Sequence, residues 1–247
     1  MLLIVVENKA YEVDVAFQPI CDLGNNQPVY YEALARFKDI ESGRLVNTGW
    51  VIDSLINMNI INDFTLKFFE YTFNTMKSHN LNFRCSFNLE STQLINPNFI
   101  ASLITLIKGF NVGETMIEIT ERTSVPDSLN KNKMEGLYTL KDADLAIALD
   151  DFGMDNSNLI DLFQFRYDVV KLAKSLVDVT LEDDHAMRII KQLALESQKK
   201  GIQIIAEGIE DRAACERIKK MNISLVQGYA FGKPMTISSS MYCQRVS

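Results

Sequence analysis

The sequence predicts an α/β protein, a TIM-like (β/α)8 barrel whose first strand runs antiparallel to the others. Three observations point there. Short apolar runs alternate with helical segments along the 247 residues, which is the pattern of crossover units and a parallel sheet. The first two strand-like runs are joined by a connection too short for a crossover, so that pair forms a hairpin. The later runs share a common ending. LAIALDDFG closes on Asp150 and Asp151 before Gly153, FRCSFN on Asn88, YDVVK on Lys171 and IQIIAE on Glu207, while TMIEITE carries Glu118 and Glu121 and SLVQG carries Gln227. In a parallel barrel the carboxyl ends of the strands share one face, so these side chains converge there. Any one polar strand end is most simply a strand meeting water; the shared ending of so many is not.

Taken in order, VDVAFQPI and PVYYEALARF are the two hairpin strands, separated by the turn-rich DLGNNQ. Glu32 lies in the second among apolar neighbours, with Arg36 four residues on and on the same side of a strand. The plain reading is a structural contact between them; the sharper one is a metal ligand beside a phosphate-binding arginine. From Asn47 to His79 the spacing becomes helical, with Val51, Leu55 and Ile56, then Phe64, Phe68, Tyr71 and Met76, a stripe that reads as core. Asn62 or Asp63 is placed to cap the second of these helices. A strand over 82–88 follows, then a helix opened by Pro97 and running to about Lys108, with Gly109 as its stop. The alternation continues with strand 114–120, a helix after Pro126, strand 145–150, a short helix near 158–164, strand 167–172, a long helix over 182–200, strand 202–206, helix 211–220 and strand 223–227. Eight strands favour a closed barrel over an open sheet. No linker or repeat interrupts them, so residues 1–247 read as one domain, with motifs over about 16–235 and a tail at 238–247.

Composition narrows the function. A net charge of −7 disfavours a broad surface for duplex DNA or RNA or for an anionic membrane. The leading MLLIVV is too short for a membrane span or a secretory core, which leaves a soluble, cytoplasmic protein as the expectation. Cys21, Cys85, Cys215 and Cys243 form no CxxC pair and read as free thiols. The two histidines, His79 and His185, sit in polar helical contexts away from strand ends. The converging groups Glu32, Asn88, Glu118, Asp150 and Asp151 are thus all oxygen donors, which select magnesium, manganese or calcium over zinc or copper. Carboxylates packed this closely repel and take up protons unless a cation neutralises them. Lys171 reads either as a structural ion pair or as a group that orients and deprotonates a water or steadies a phosphate oxygen; Glu207 reads as a general base or a further ligand. Paired acids for glycoside hydrolysis are the competing chemistry, but Trp50, the one tryptophan, lies in a helix and offers no sugar platform.

FQPI, YEALAR, SFNLE, IEITE, LDDFG, DVVKL, IIAEGIE and QGYAFGKP stand in an order and spacing that resemble the EAL domain family. The resemblance implies hydrolysis of cyclic di-GMP to linear pGpG with one or two magnesium or manganese ions, in a stand-alone member of the family. It implies Glu32, Asn88, Glu118, Asp150 and Asp151 as metal ligands and Lys171 with Glu207 as the water-activating pair. It also implies Glu121 as the residue holding the loop after Asp151, Gln18, Leu34 and Arg36 as dinucleotide contacts, and Gln227 as a polar group near the metal. A homodimer and a regulatory protein partner are further expectations of the resemblance alone. Two departures stand out. Lys171-Leu172-Ala173 replaces the family's KxD, and DDFGMDNSN replaces DDFGTGYSS, with Met154, Asp155, Asn156 and Asn158 in place of the common residues. Changes of this kind accompany family members that bind cyclic di-GMP or a protein without catalysis, which is the alternative reading.

Overall fold

Side chains alternate between the two faces of a strand, and a sheet that closes on itself turns one face entirely inward. The computed structural model describes residues 1–110, 114–120, 125–154 and 159–237, with the side chains of Leu159 and Asp161 left aside. Its barrel begins with the hairpin of β2 (Lys9–Asp22) and β3 (Pro28–Asp39). Asp22 shapes that turn, accepting from the Gly24 amide at 2.6 Å, while Asn26 takes the left-handed conformation at φ 56°. Around the ring, β3 is followed in parallel by β4 (Cys85–Glu90), β5 (Thr115–Thr120), β6 (Ala146–Phe152), β7 (Val169–Leu172), β8 (Gln203–Ala206) and β9 (Leu225–Gln227). β9 returns antiparallel to β2 and closes the barrel, so the first barrel strand is antiparallel to both its neighbours, as the short hairpin connection required.

The helices are α1 (Thr48–Asn57), α2 (Ile61–Ser78), α3 (Pro97–Phe110), α4 (Asn130–Asp142), α5 (Leu159–Gln164), α6 (Lys174–Glu182), α7 (Asp184–Lys199) and α8 (Cys215–Lys220). Asn47 caps α1 by accepting from the Trp50 amide at 3.0 Å. The helical stripe is core: Val51, Leu55, Phe64, Phe68 and Met76 are buried, and Phe69 stacks on Phe87 of β4 with ring centroids 4.1 Å apart. The Tyr71 hydroxyl reaches out to Asp14 at 3.2 Å.

Several boundaries differ from those the sequence suggests. Neither Asn62 nor Asp63 caps α2, which starts from Ile60 directly after Asn59 turns the chain at φ 57°; the Asn62 side-chain Oδ1 instead accepts from Gln93 Nε2 at 3.0 Å. The long helix over 182–200 forms as α7, opened by Asp183, whose carboxylate accepts from the His185 and Ala186 amides, and it is preceded by α6, a helix the sequence reading did not place. Gly109 does not stop α3, which continues to Phe110, whose ring packs 5.3 Å from that of Phe73. The strand expected at 82–88 is shifted to Cys85–Glu90. MLLIVV is neither a span nor a free end but β1 (Leu2–Val6), paired antiparallel with β2, with Leu3 and Val5 facing outward. A last short strand, β10 (Met235–Thr236), also pairs with β2. Among the described residues no helix is long and apolar enough to cross a membrane. Cys21, Cys85 and Cys215 are free thiols, and Cys243 and the tail at 238–247 lie outside the described residues.

Candidate active site

The site follows from a step of two residues. Ile20, Tyr30, Met116, Ala148, Val169, Ile205 and Leu225 form one buried apolar layer inside the barrel. Two residues toward the carboxyl end of each parallel strand the same inward face carries Glu32, Glu118, Asp150, Lys171, Glu207 and Gln227. On antiparallel β2 the equivalent step runs backward from Ile20 to Gln18, which pairs with Glu32 in register. On β4, Asn88 stands level with Glu118. A polar layer thus sits directly on an apolar floor, where burial strongly penalises charge.

Lys171 is at its centre. Only 1% exposed, its ammonium lies 2.6 Å from Glu118 Oε2, 2.7 Å from Glu207 Oε1, 3.1 Å from Asp150 Oδ1 and 3.6 Å from Glu32 Oε2. Burial alone would lower its pKa, but the surrounding carboxylates overcome this and hold it well above the ordinary lysine range. Of the plain and sharp readings of this lysine, the geometry supplies the ion pair, extended to four acids. Glu32 has more partners than Arg36 could offer: Asn88 donates to its Oε1 at 2.7 Å and Gln227 to its Oε2 at 2.6 Å. Burial raises the Glu32 pKa, yet Lys171 and the two amides bring it net below the usual value. The others go the opposite way. Burial drives Glu118 well above the carboxylate range, raises Asp150, and lifts Glu207 to about 8, in each case beyond what Lys171 can offset. One ammonium does not balance this many acids, so the cluster holds protons or a further cation.

Adjacent residues of a regular strand face opposite ways, which would send Asp151 away from Asp150. A bulge prevents this: the pairing of β6 with β7 shifts register between Leu149 and Phe152, and Asp151 takes a left-handed φ of 51°. Gly153 continues the turn at φ 98°, with Leu176 too close for a β-carbon. Carboxylate oxygens of Asp150, Asp151 and Glu207 consequently lie within 4.8 Å of one another. That trio differs from the expected ligand set, which contains Glu32, Asn88 and Glu118 but not Glu207; these three surround the trio through Lys171 and the amides.

The cleft above is lined by Gln18, Glu32, Leu34, Asp150, Asp151, Lys171, Glu207 and Gln227, so most of the predicted residues share one mouth. Arg36 lines the adjoining groove with Asp14 and Pro234, its guanidinium donating to the Ala35 carbonyl at 2.9 Å. Glu121, Asp155, Asn156 and Asn158 lie outside the described residues. Met154, one of the departures from the family loop, also lines the cleft, as do Lys174, Glu210 and Tyr229, which sequence reasoning did not single out. Lys174 forms ion pairs with Asp178 and Glu210 at 3.3 and 3.4 Å. Tyr229 carried a signal, since a large aromatic two residues beyond the inward-facing Gln227 stands past the strand end.

The donor set fits a hard divalent cation. It consists of carboxylate and amide oxygens, and buried Glu118 Oε1, Asp150 Oδ1 and Gln227 Oε1 accept no hydrogen bond. Lys171 approaches Asp150 Oδ1 as a charge rather than as an aligned donor.

The profile of the EAL domain family matches residues 4–234. The chain is 29% identical over 156 residues to the probable cyclic di-GMP phosphodiesterase PdeG of Escherichia coli, covering 62% of this chain and 30% of that protein. It is 28% identical over 152 residues to the cyclic di-GMP phosphodiesterase RocR of Pseudomonas aeruginosa, covering 61% of this chain and 38% of that protein. The chain thus spans about a third of the length of these curated relatives. Among solved structures, a standalone EAL protein from Vibrio cholerae in its c-di-GMP-bound form superposes with a TM-score of 0.76 at 26% identity, over 91% of this chain and 93% of that one. An EAL domain protein from Listeria monocytogenes shares the fold with a TM-score of 0.79 at 22% identity, over 95% of this chain and 93% of that one. A match across nearly the whole barrel, on a ring whose polar layer is built from the motif residues themselves, makes this chain a member of the EAL domain family.

Proposed function

We propose that this chain hydrolyses cyclic di-GMP to linear pGpG with one or two bound magnesium or manganese ions. One observation carries the reading: a polar layer in which buried Glu32, Glu118 and Asp150 and half-buried Glu207 face a single ammonium, that of Lys171, with exposed Asp151 at its rim. Such a layer demands added positive charge, and added positive charge above an acidic floor suits a phosphodiester. The relatives named as cyclic di-GMP phosphodiesterases, and the Vibrio cholerae protein with that nucleotide bound, support this choice of substrate.

Asp150 and Asp151 would hold the metal, with Glu32, Asn88 and Glu118 completing its oxygen surroundings and Glu207 beside it. A bound divalent ion polarises phosphodiester oxygens and lowers the pKa of a water. The remaining work falls to the chain. Glu207, raised by burial in the metal-free protein and returned to its ionised form beside a cation, is the group poised to take the proton of the attacking water as its oxygen bonds to phosphorus. Lys171 is held protonated, so it orients Glu207 and Glu118 rather than accepting that proton. The phosphorus–oxygen bond to one ribose breaks, and the leaving oxygen takes up a proton through solvent as Glu207 releases the one it accepted. Gln18 and Leu34 flank the cleft, and Arg36 offers a cation to a phosphate oxygen. Glu121 keeps its proposed role in holding the loop.

Incubating the purified protein with cyclic di-GMP and manganese, with Glu32→Ala as control, is expected to yield pGpG from the unaltered chain only. No pGpG from the unaltered chain rejects the enzyme. One feature favours binding without catalysis. Ala173 is fully buried at the N-cap of α6, where it offers no side-chain cap and no carboxylate. Ala173→Asp is expected to cap the helix, a gain of about 1 kcal/mol, and to tighten manganese binding measurably in calorimetry. Unchanged affinity and turnover would show that the alanine is neutral.

A further inference from the structure

We propose that the sheet face carried by β1, β2 and β3 beyond the barrel ring is a docking surface for a second copy of this chain. The first hairpin outgrows the barrel. β3 pairs with β4 only over Tyr31–Ala33 and β2 with β9 only over Ile20–Asp22, so most of both strands, joined by β1, stands clear of the ring as a small antiparallel sheet. Its two faces are unlike. One carries Tyr11, Val13, Val15 and Phe37, all buried against α1 and α2, where Tyr11 meets Trp50 and the rings of Phe37 and Phe64 lie 5.6 Å apart. The other carries Leu3, Val5, Ile40 and Leu45, each at least half exposed, so no described element covers them. Residues paired in register share a face, which fixes what stands beside what. Val5, Ala10 and Ile40 form one row of the open face, Leu3, Glu12, Lys38 and Leu45 form the next, and Asp14 with Arg36 follows.

The middle row identifies the occupant. Read across the sheet it runs apolar, acidic, basic, apolar, and the same row turned end for end sets Glu12 on Lys38 and Leu3 on Leu45. Asp14 and Arg36 behave alike, acid falling on base, while Val5, Ala10 and Ile40 are apolar throughout and meet their own kind. A two-fold axis makes one patch face itself, so a surface that is its own complement in charge and hydropathy suits a copy of the chain; a different partner would require no such order. Within one chain the Lys38 ammonium lies 3.9 Å from the Glu12 carboxylate, a loose contact that leaves both side chains open to a further partner. Apolar side chains gathered on one exposed face supply the attraction, and the charges among them fix the orientation.

Sedimentation velocity of the full chain and its variants tests this, with thermal melts checking that each folds. The unaltered chain is expected to sediment as a dimer at micromolar concentration. Glu12→Lys and Lys38→Glu are each expected to weaken that dimer about a hundredfold, since either one sets like charges opposite each other at both symmetry-related contacts. Mixing the two variants is expected to restore a dimer, because one chain then presents only lysines and the other only glutamates. Leu45→Ser, at a position 72% exposed and so of little weight in the monomer, is expected to weaken association as well. An unaltered chain that stays monomeric would overturn the proposal and leave the face to another protein. A dimer that survives both reversals docks elsewhere and would overturn it too, as would a loss in both variants that mixing does not repair. Neither nucleotide nor metal enters the measurement, so its outcome is independent of the phosphodiesterase reading.

Discussion

Lys171→Met is expected to destabilise the protein by about 3–5 kcal/mol at pH 8 and, on the proposed function, to abolish release of pGpG from cyclic di-GMP. Methionine fills nearly the same volume, so the loss measures charge rather than a cavity. The ammonium contacts Glu32, Glu118, Asp150 and Glu207 inside the barrel, and without it these acids face one another above an apolar floor. The pH dependence separates this from simple misfolding. The lysine pKa is raised on folding, so its contribution is complete at pH 8 and fades only as pH climbs through that raised value. Removing it lets the acids take up protons more easily, so the penalty shrinks at pH 5. Urea denaturation of both proteins at the two pH values checks this; an equal penalty at each would show that the lysine acts through packing.

Manganese or magnesium at a hundredfold excess over its dissociation constant is expected to raise the melting temperature by about 5–10 °C at pH 8.5, from about 2.7 kcal/mol of linkage and 2–4 °C per kcal/mol for a chain of this size. At pH 6 the rise is smaller. The Glu207 pKa goes up on folding to about 8 from an ordinary 4.5. In the metal-free protein its contribution to stability is therefore fully present below 4.5 and is lost as pH rises through 8. A cation replaces the protons held by Glu207, Asp150 and Glu118, so it competes with them at low pH and binds freely at high pH. Melts in chelator, magnesium and manganese from pH 6 to 9 test the slope. A metal-induced shift independent of pH would mean that the ion binds away from these acids.

Much of the site was legible because a strand has a period of two. Glu32, Glu118, Asp150, Lys171, Glu207 and Gln227 each stand two residues beyond an inward apolar side chain, and apolar runs with polar ends are visible in any sequence. The hairpin was legible because six residues cannot make a crossover. Other features depend on contacts that periodicity does not encode. Alternation alone turns Asp151 away from Asp150, and only the bulge brings them together. Lys171 was readable as a strand end, but its four carboxylate partners come from strands distant in the chain. The helix over 182–200 was legible and forms as α7, but Lys174–Glu182 directly after β7 carried no start signal, since buried Ala173 offers no side-chain cap, and α6 was not expected there. Nothing in MLLIVV marks it as a partner of β2, since six apolar residues pair equally well with any exposed edge.

The closure of β2 against β9 has a kinetic consequence. The hydrogen bond from Gln227 to Glu32 joins groups 195 positions apart, and Ile20 meets Gln227 in the same seam. Contacts of such long range form late, because loop-closure entropy must be overcome before they return any energy. The acid ring is therefore unfinished until the final barrel strand docks, so an ion-gripping centre is expected to form only as the barrel closes.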